Sequence, residues 1–175
     1  MRINIPVKQG DLLVASPEMD DPYFKDSIIL VAGMDNSAAV GFVLNRPTTM
    51  PVSELFDGLD DHYLNLRRRM FVGGPVDDGS LHIVALGYYG GKEIVPGLRM
   101  GGHWESVEEI LESDEYENRL FLGYCGWGAQ QLRDEIRDGA WLVFRSRSIV
   151  DVFNEIDNGN MPTSQSAIAI LNEFA

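Results

Sequence analysis

The residue in this sequence best placed by position to act as a nucleophile is its only cysteine, Cys125, which stands just ahead of a segment with helical periodicity. The positive end of a helix macrodipole lowers a thiol pKa and favours the reactive thiolate. Such a thiolate needs a base, and His62, His82 and His103 all lie far away in sequence, so only the fold could bring His82 or His103 to it. The competing reading, a buried and inert cysteine, is the one we favour. Around the thiol, Gly126-Trp127-Gly128 followed by a helix resembles half of a dinucleotide fingerprint, in which a tight glycine turn aims free N–H groups at an anion. Gln131 stands where the third glycine belongs, and no acidic ribose partner follows at the required distance, so packing is the favoured role of these glycines.

A second candidate is Asn45-Arg46-Pro47, which places a guanidinium at the end of an apolar strand. There it could clamp an anion, or tie two loops together through a carboxylate, and the tie is preferred. Asp60-Asp61-His62 and Asp77-Asp78 offer carboxylates in glycine-rich loop contexts, where such residues serve turns. Glu105, Glu108, Glu109 and Glu112 share one helical face without histidine or cysteine spacing, which makes them a solvated surface, not a metal site. There is no Gly-x-Ser-x-Gly elbow, Walker loop, Cys-x-x-Cys pair or His-Glu-x-x-His helix, and no metal or cofactor is expected.

These residues must be positioned by a mixture of strands and helices. Apolar runs at residues 12–15, 27–32 and 39–45 predict strands, the last two joined as a hairpin through residues 33–37. A short helix is predicted near residues 51–56, followed by strands at 70–72 and 81–86 and one or two more within 93–100. From Ser106 the period becomes helical, with Ser106 and Glu109 fitting a capping box. Residues 120–144 then read as strand, tight glycine turn, helix and strand, with Gly139 ending the helix. Two further helices are predicted near 149–154 and 164–174.

Composition bounds the function. The 175 residues suit one domain, since a chain of that length buries about 70% of its unfolded surface, and no linker or repeat divides it. One cysteine allows no internal disulfide, which suits a reducing compartment, and the N-terminus has no signal-peptide core. The expectation is a cytoplasmic protein. No apolar run approaches the roughly 20 residues of a membrane-spanning helix. The net charge of −13 is shared by both halves, with 7 basic against 12 acidic residues in 1–87 and 7 against 15 in 88–175. A field of that sign opposes direct nucleic-acid binding. The one basic cluster, Arg67-Arg68-Arg69, reads as a solvated strand edge.

Five motifs in order, Gly10-Asp11-Leu12-Leu13-Val14-Ala15, Asp21-Pro22-Tyr23-Phe24 with Ser27, Gly41-Phe42-Val43-Leu44-Asn45-Arg46-Pro47, Gly73-Gly74-Pro75-Val76, and Gly123-Tyr124-Cys125-Gly126-Trp127-Gly128 with Gln131, resemble the AlgH/YqgE family of bacterial proteins over residues 10–144. The resemblance implies a complex α+β fold, in which a bent, split sheet curls into a barrel-like core with flanking helices. It implies no known reaction; one member is linked to the regulation of alginate production, which suggests a transcription-related regulator. Many relatives resemble Ile-Cys-x-His where this chain has Val31-Ala32-Gly33-Met34, and carry Ala or Ser at Cys125, so no family-wide thiol mechanism operates here.

The sequence therefore predicts a single α+β domain over 1–175, read as a noncatalytic binding or regulatory domain for a small anionic ligand or a protein partner. A thiol or acid/base enzyme using Cys125 is the alternative. The candidate pocket comprises Asn45, Arg46, Pro47, Gly73, Gly74, Pro75, Cys125, Gly126, Trp127 and Gln131.

Overall fold

The computed structural model describes residues 6–49, 70–87, 90–101, 110, 117–146 and 148–173. The helix predicted at 51–56, the Arg67-Arg68-Arg69 cluster, Asp60, Asp61, His62 and His103 lie outside the described residues, as does the helix predicted from Ser106, except for Ile110, which is helical and buried.

In chain order the described elements are β1 (Leu12–Ala15), β2 (Ile28–Met34), β3 (Ala38–Val43), β4 (Met70–Val72), β5 (Val76–Leu86), β6 (Lys92–Val95), β7 (Leu98–Met100), β8 (Asn118–Gly128), α1 (Ala129–Arg137), β9 (Trp141–Phe144), α2 (Ile149–Asp157) and α3 (Ser164–Glu173). The α+β class is as expected, and among the described residues the ladder is open, because β6 and β9 each end the strand order. The chain divides into two compact units, one from Met1–Arg46 with Cys125–Ala175 and one from Pro47–Tyr124. Since the second is an excursion within the first, no linker composition marks it.

In the first unit the order is β9-β1-β2-β3 and then the end of β8, every pairing antiparallel. β1 and β2 are buried on both faces, which is why they read as unbroken apolar runs and not as alternating ones. On one face Leu13, Ala15, Ile29, Val31, Val43, Cys125, Trp127 and Val143 cluster with Leu132 of α1. α3 packs against β1 and buries Ala167 and Leu171. The predicted hairpin between β2 and β3 is present, and Asp35 closes its turn, its Oδ1 accepting the N–H groups of Ser37 and Ala38 at 2.7 and 2.9 Å.

The second unit pairs β6 with β7, β7 with β5, and β5 with the first part of β8, all antiparallel; β4 pairs β8 in parallel. β5 is longer than predicted. Its register against β8 jumps between Val76 and Leu81, so that Asp77, Asp78, Gly79 and Ser80 stand opposite Gly123. Gly123 has φ +68° and makes room for this bulge.

One local expectation is overturned. No tight turn forms at Gly126-Trp127-Gly128, because β8 stays extended through Gly128 and α1 starts at Ala129. The alternation explains it: Cys125 and Trp127 are buried, whereas Gly126 and Gly128 are exposed, so the glycines occupy the outer face of a strand paired with Ala38–Gly41.

Candidate functional site

The turn before β2 and the end of β3 bring together the polar residues of the first unit's motifs. Asn45 accepts the Ile28 N–H on Oδ1 at 3.0 Å and donates from Nδ2 to the carbonyls of Asp26 at 2.8 Å and Met161 at 3.2 Å. Its amide is thus committed to joining three chain segments. Asp26, in the left-handed region at φ 62°, accepts the Ser164 N–H on Oδ1 at 2.9 Å and so satisfies a donor at the start of α3. This gives the C-terminal helix a fixed attachment beside Asn45.

Arg46 follows directly. Its guanidinium lies over the Tyr23 ring at 4.8 Å from the centroid, and Nη2 donates to the Lys25 carbonyl at 3.2 Å. The arginine does tie loops, as the sequence suggested, but through a ring and a carbonyl; among the described residues no carboxylate pairs with it. It is partly exposed, Lys25 beside it is exposed, and Tyr23 is itself held edge-on by Phe24 at 4.9 Å. Among the described residues the guanidinium thus has no carboxylate partner, in a chain where acidic residues outnumber basic ones, and it is pre-positioned by two neutral contacts.

Cys125 does not meet the requirements of a nucleophile. It lies inside β8 opposite Gly41, only 1% exposed within the core cluster, and not at the helix start. Burial pushes its thiol up to about 12, although the Arg46 charge and a hydrogen bond with the Val43 backbone pull the other way. Relative to an ordinary thiol at 9.0, that leaves roughly a thousandfold less thiolate near neutral pH. Native protein is therefore expected to react with a thiol reagent at pH 8 at least that much more slowly than urea-unfolded protein, a ratio that a DTNB time course reads directly. A raised folded pKa also means that the thiol's contribution to stability is complete below 9.0 and is lost as pH rises toward 12.

The other first-unit candidates are accounted for by structure. Trp127 is buried and meets Trp141 edge-on, their centroids 6.2 Å apart. Glu135 of α1 has its pKa raised by burial, with hydrogen bonding from Trp141 and Trp127 opposing the shift. Gln131, which occupies the place of a fingerprint glycine, accepts the Gly128 N–H on Oε1 at 3.2 Å and caps its own helix. Gly126 lies exposed on the strand. The extended backbone at Gly128, φ −62° and ψ 143°, provides no loop for a pyrophosphate.

Pro47, Gly73, Gly74 and Pro75 belong to the second unit. Pro47 bridges Phe71 in antiparallel fashion, Gly73 donates its N–H to the Leu122 carbonyl at 2.7 Å, and the Gly74 carbonyl approaches Gly123 so closely that a Cβ there would collide with it. These residues build the β4–β5 connection and the bulge beside it.

Sequence reasoning passed over Asp11 and Arg145. Asp11 is fully buried and takes Arg145 Nε at 2.6 Å and Nη2 at 2.8 Å, together with the Lys8 N–H at 2.9 Å. Hydrogen bonding to Asp11 raises the arginine's pKa further. A carboxylate abutting four buried strand positions was the available signal, because such a charge must be paired.

Comparison with known proteins extends these observations. The model of the AlgH-like family matches residues 12–161. A UPF0301 protein of Chlorobaculum tepidum is 33% identical over 143 residues, covering 78% of this chain and 74% of its own length. One from Streptomyces avermitilis is 35% identical over 150 residues, covering 78% and 75%. The solution structure of the AlgH protein from Pseudomonas aeruginosa superposes with a TM-score of 0.74 at 24% identity, covering 99% of this chain and 92% of that one. The crystal structure of a protein from Corynebacterium diphtheriae gives 0.65 at 26% identity, covering 82% and 78%. No helix among the described residues is long and apolar enough to cross a membrane.

Proposed function

We propose that this chain, which belongs to the AlgH-like family, is a binding domain that takes a small anionic ligand, of phosphate or carboxylate type, at Arg46. The observation that carries the reading is the state of that guanidinium: held in place by the Tyr23 ring and the Lys25 carbonyl, partly exposed, and without a carboxylate partner among the described residues. Two neutral contacts fix its position while leaving further N–H donors for a planar, bidentate acceptor. The exposed Lys25 adds a second positive charge on the adjoining turn. Burial of Cys125 supports binding at this corner over thiol chemistry, and a lone reduced thiol is consistent with a cytoplasmic setting. The charge of −13 weighs against a polyanionic partner such as DNA, because the whole-molecule field repels it, while a compact anion needs only the local cation.

The reading is tested by thermal shift with inorganic phosphate, pyrophosphate and citrate on the wild type and Arg46→Gln. At a ligand concentration of 100 times Kd, stabilisation of about 2.7 kcal/mol is expected by mass action. Stabilisation in the wild type that disappears in Arg46→Gln supports the site, and equal behaviour of the two proteins with all three anions removes it.

A further inference from the structure

The second unit holds a pair of side chains that the Arg46 reading does not use. The bulge of β5 places Ser80 and His82 two residues apart on one face of the strand, with Ser80 Oγ 3.0 Å from His82 Nε2. The hydroxyl also lies 2.7 Å from the Asp77 carbonyl, to which it donates. Its single proton therefore has two acceptors, that carbonyl and, in the Nδ1–H tautomer, the imidazole. Across the ladder the Tyr124 ring meets His82 edge-on at 5.7 Å and limits how the imidazole turns. Asp77 holds the left-handed φ of 45° that turns the bulge, and its negative charge acts on His82. Both Ser80 and His82 are partly exposed, while Asp77, Asp78 and Gly79 are exposed, so a solute can reach the hydroxyl.

We infer that Ser80 is a nucleophile with His82 as its general base, directed at an ester or similarly activated acyl group. The base has the required geometry, within hydrogen-bond reach of the hydroxyl it deprotonates. Partial burial also lowers the imidazole's pKa from its ordinary value, keeping it neutral and able to accept a proton at pH 7, while Asp77 supports the imidazolium once formed. In the reaction the Ser80 proton passes to His82 Nε2 as Oγ bonds the acyl carbon. The carbon–oxygen bond to the alcohol then breaks, and the departing alkoxide takes the proton from Nε2. Water, deprotonated by the same nitrogen, next attacks the acyl-serine, freeing the carboxylic acid and returning the proton to Oγ. No electrons are transferred, and water is the only co-reactant. The glycine at position 123 belongs to this arrangement, since the bulge that turns Ser80 toward His82 exists only where the facing strand has no Cβ.

A fluorophosphonate probe tests the inference, because attack by Oγ on phosphorus with loss of fluoride leaves a stable adduct that mass spectrometry locates. The inference predicts one adduct per chain on the peptide containing Ser80, none on that peptide in Ser80→Ala, and labelling of His82→Gln at least about 100-fold slower, the lower range for a lost general base. The wild type alone supplies a second reading: its labelling rate should rise through the depressed His82 pKa and level off by neutral pH. Absence of an adduct at Ser80, an undiminished rate in a folded His82→Gln protein, or a rate that keeps rising in proportion to hydroxide would each overturn the assignment. Failure of anion binding at Arg46 leaves this result untouched, as the two tests read different residues.

Discussion

Gly123→Ala is expected to lower the stability of the protein by about 4 kcal/mol, the sum of a left-handed backbone penalty and an overpacking cost. Two separate features of the residue add here. Its φ of +68° disfavours any L side chain, and a Cβ at this position would meet the Gly74 carbonyl and stand 2.9 Å from the Val76 carbonyl and 3.0 Å from the Asp78 Cα. These are backbone atoms of the β4–β5 connection and of the start of β5 with its bulge, so no flexible side-chain end can yield. Gly97→Ala separates the two effects, since Gly97 has φ +87° and nothing within 4 Å of a built Cβ. It should cost only the backbone part, about 1 kcal/mol. Urea titrations of both variants check the claim, and a Gly123→Ala midpoint no lower than that of Gly97→Ala would show that the close approach is absent.

Arg145→Ala is the second large effect, expected at about 3 kcal/mol or more because it strands a buried carboxylate. The bidentate pair spans 134 residues of sequence and joins the residue just before β1 to the one just after β9. What the substitution costs is mostly the penalty of leaving the fully buried Asp11 carboxyl with, among the described residues, only the Lys8 N–H as a side-chain partner. The same reasoning predicts that adding Asp11→Asn to Arg145→Ala recovers part of the loss, although Asp11→Asn alone destabilises. A double-mutant cycle in urea measures this coupling. Strictly additive losses would mean that Asp11 is not electrostatically dependent on Arg145.

Much of the strand framework can be read from the chain because it depends on local runs. β1, β2 and β9 are apolar throughout and nearly or wholly buried, so their sequences announce them. The helix after residue 128 is visible from Leu132 and Ile136 at helical spacing. The reading of 126–128 failed because glycine marks both turns and the bare outer face of a strand, and only the pairing partner distinguishes the two. Here that partner is β3, from 90 positions away at the Gly128–Ala38 pair to 84 at Cys125–Gly41. The glycine with the demanding backbone was Gly123, three residues earlier, and its requirement comes from the β5 bulge 40 or more positions upstream.

The candidate residues divide along the same line. Asn45 and Arg46 stood out at a strand end, yet their partners, Met161 for one and Tyr23 and Lys25 for the other, come from segments with no local relation to them. The helix after Cys125 kept a reactive thiol open as the alternative; the alternation of β8 turns the side chain into the core, in line with the buried, inert cysteine that the sequence favours. His82 drew attention only as a possible base for Cys125 and Ser80 not at all, since their proximity depends on a bulge that periodicity does not reveal.

Anion binding at Arg46 is most directly measured by a backbone-amide NMR titration with inorganic pyrophosphate at low ionic strength. The account predicts saturable shifts concentrated at Tyr23, Lys25 and Arg46, with none of comparable size in Arg46→Gln. Shifts that are absent, that do not saturate, or that persist unchanged in Arg46→Gln would contradict it.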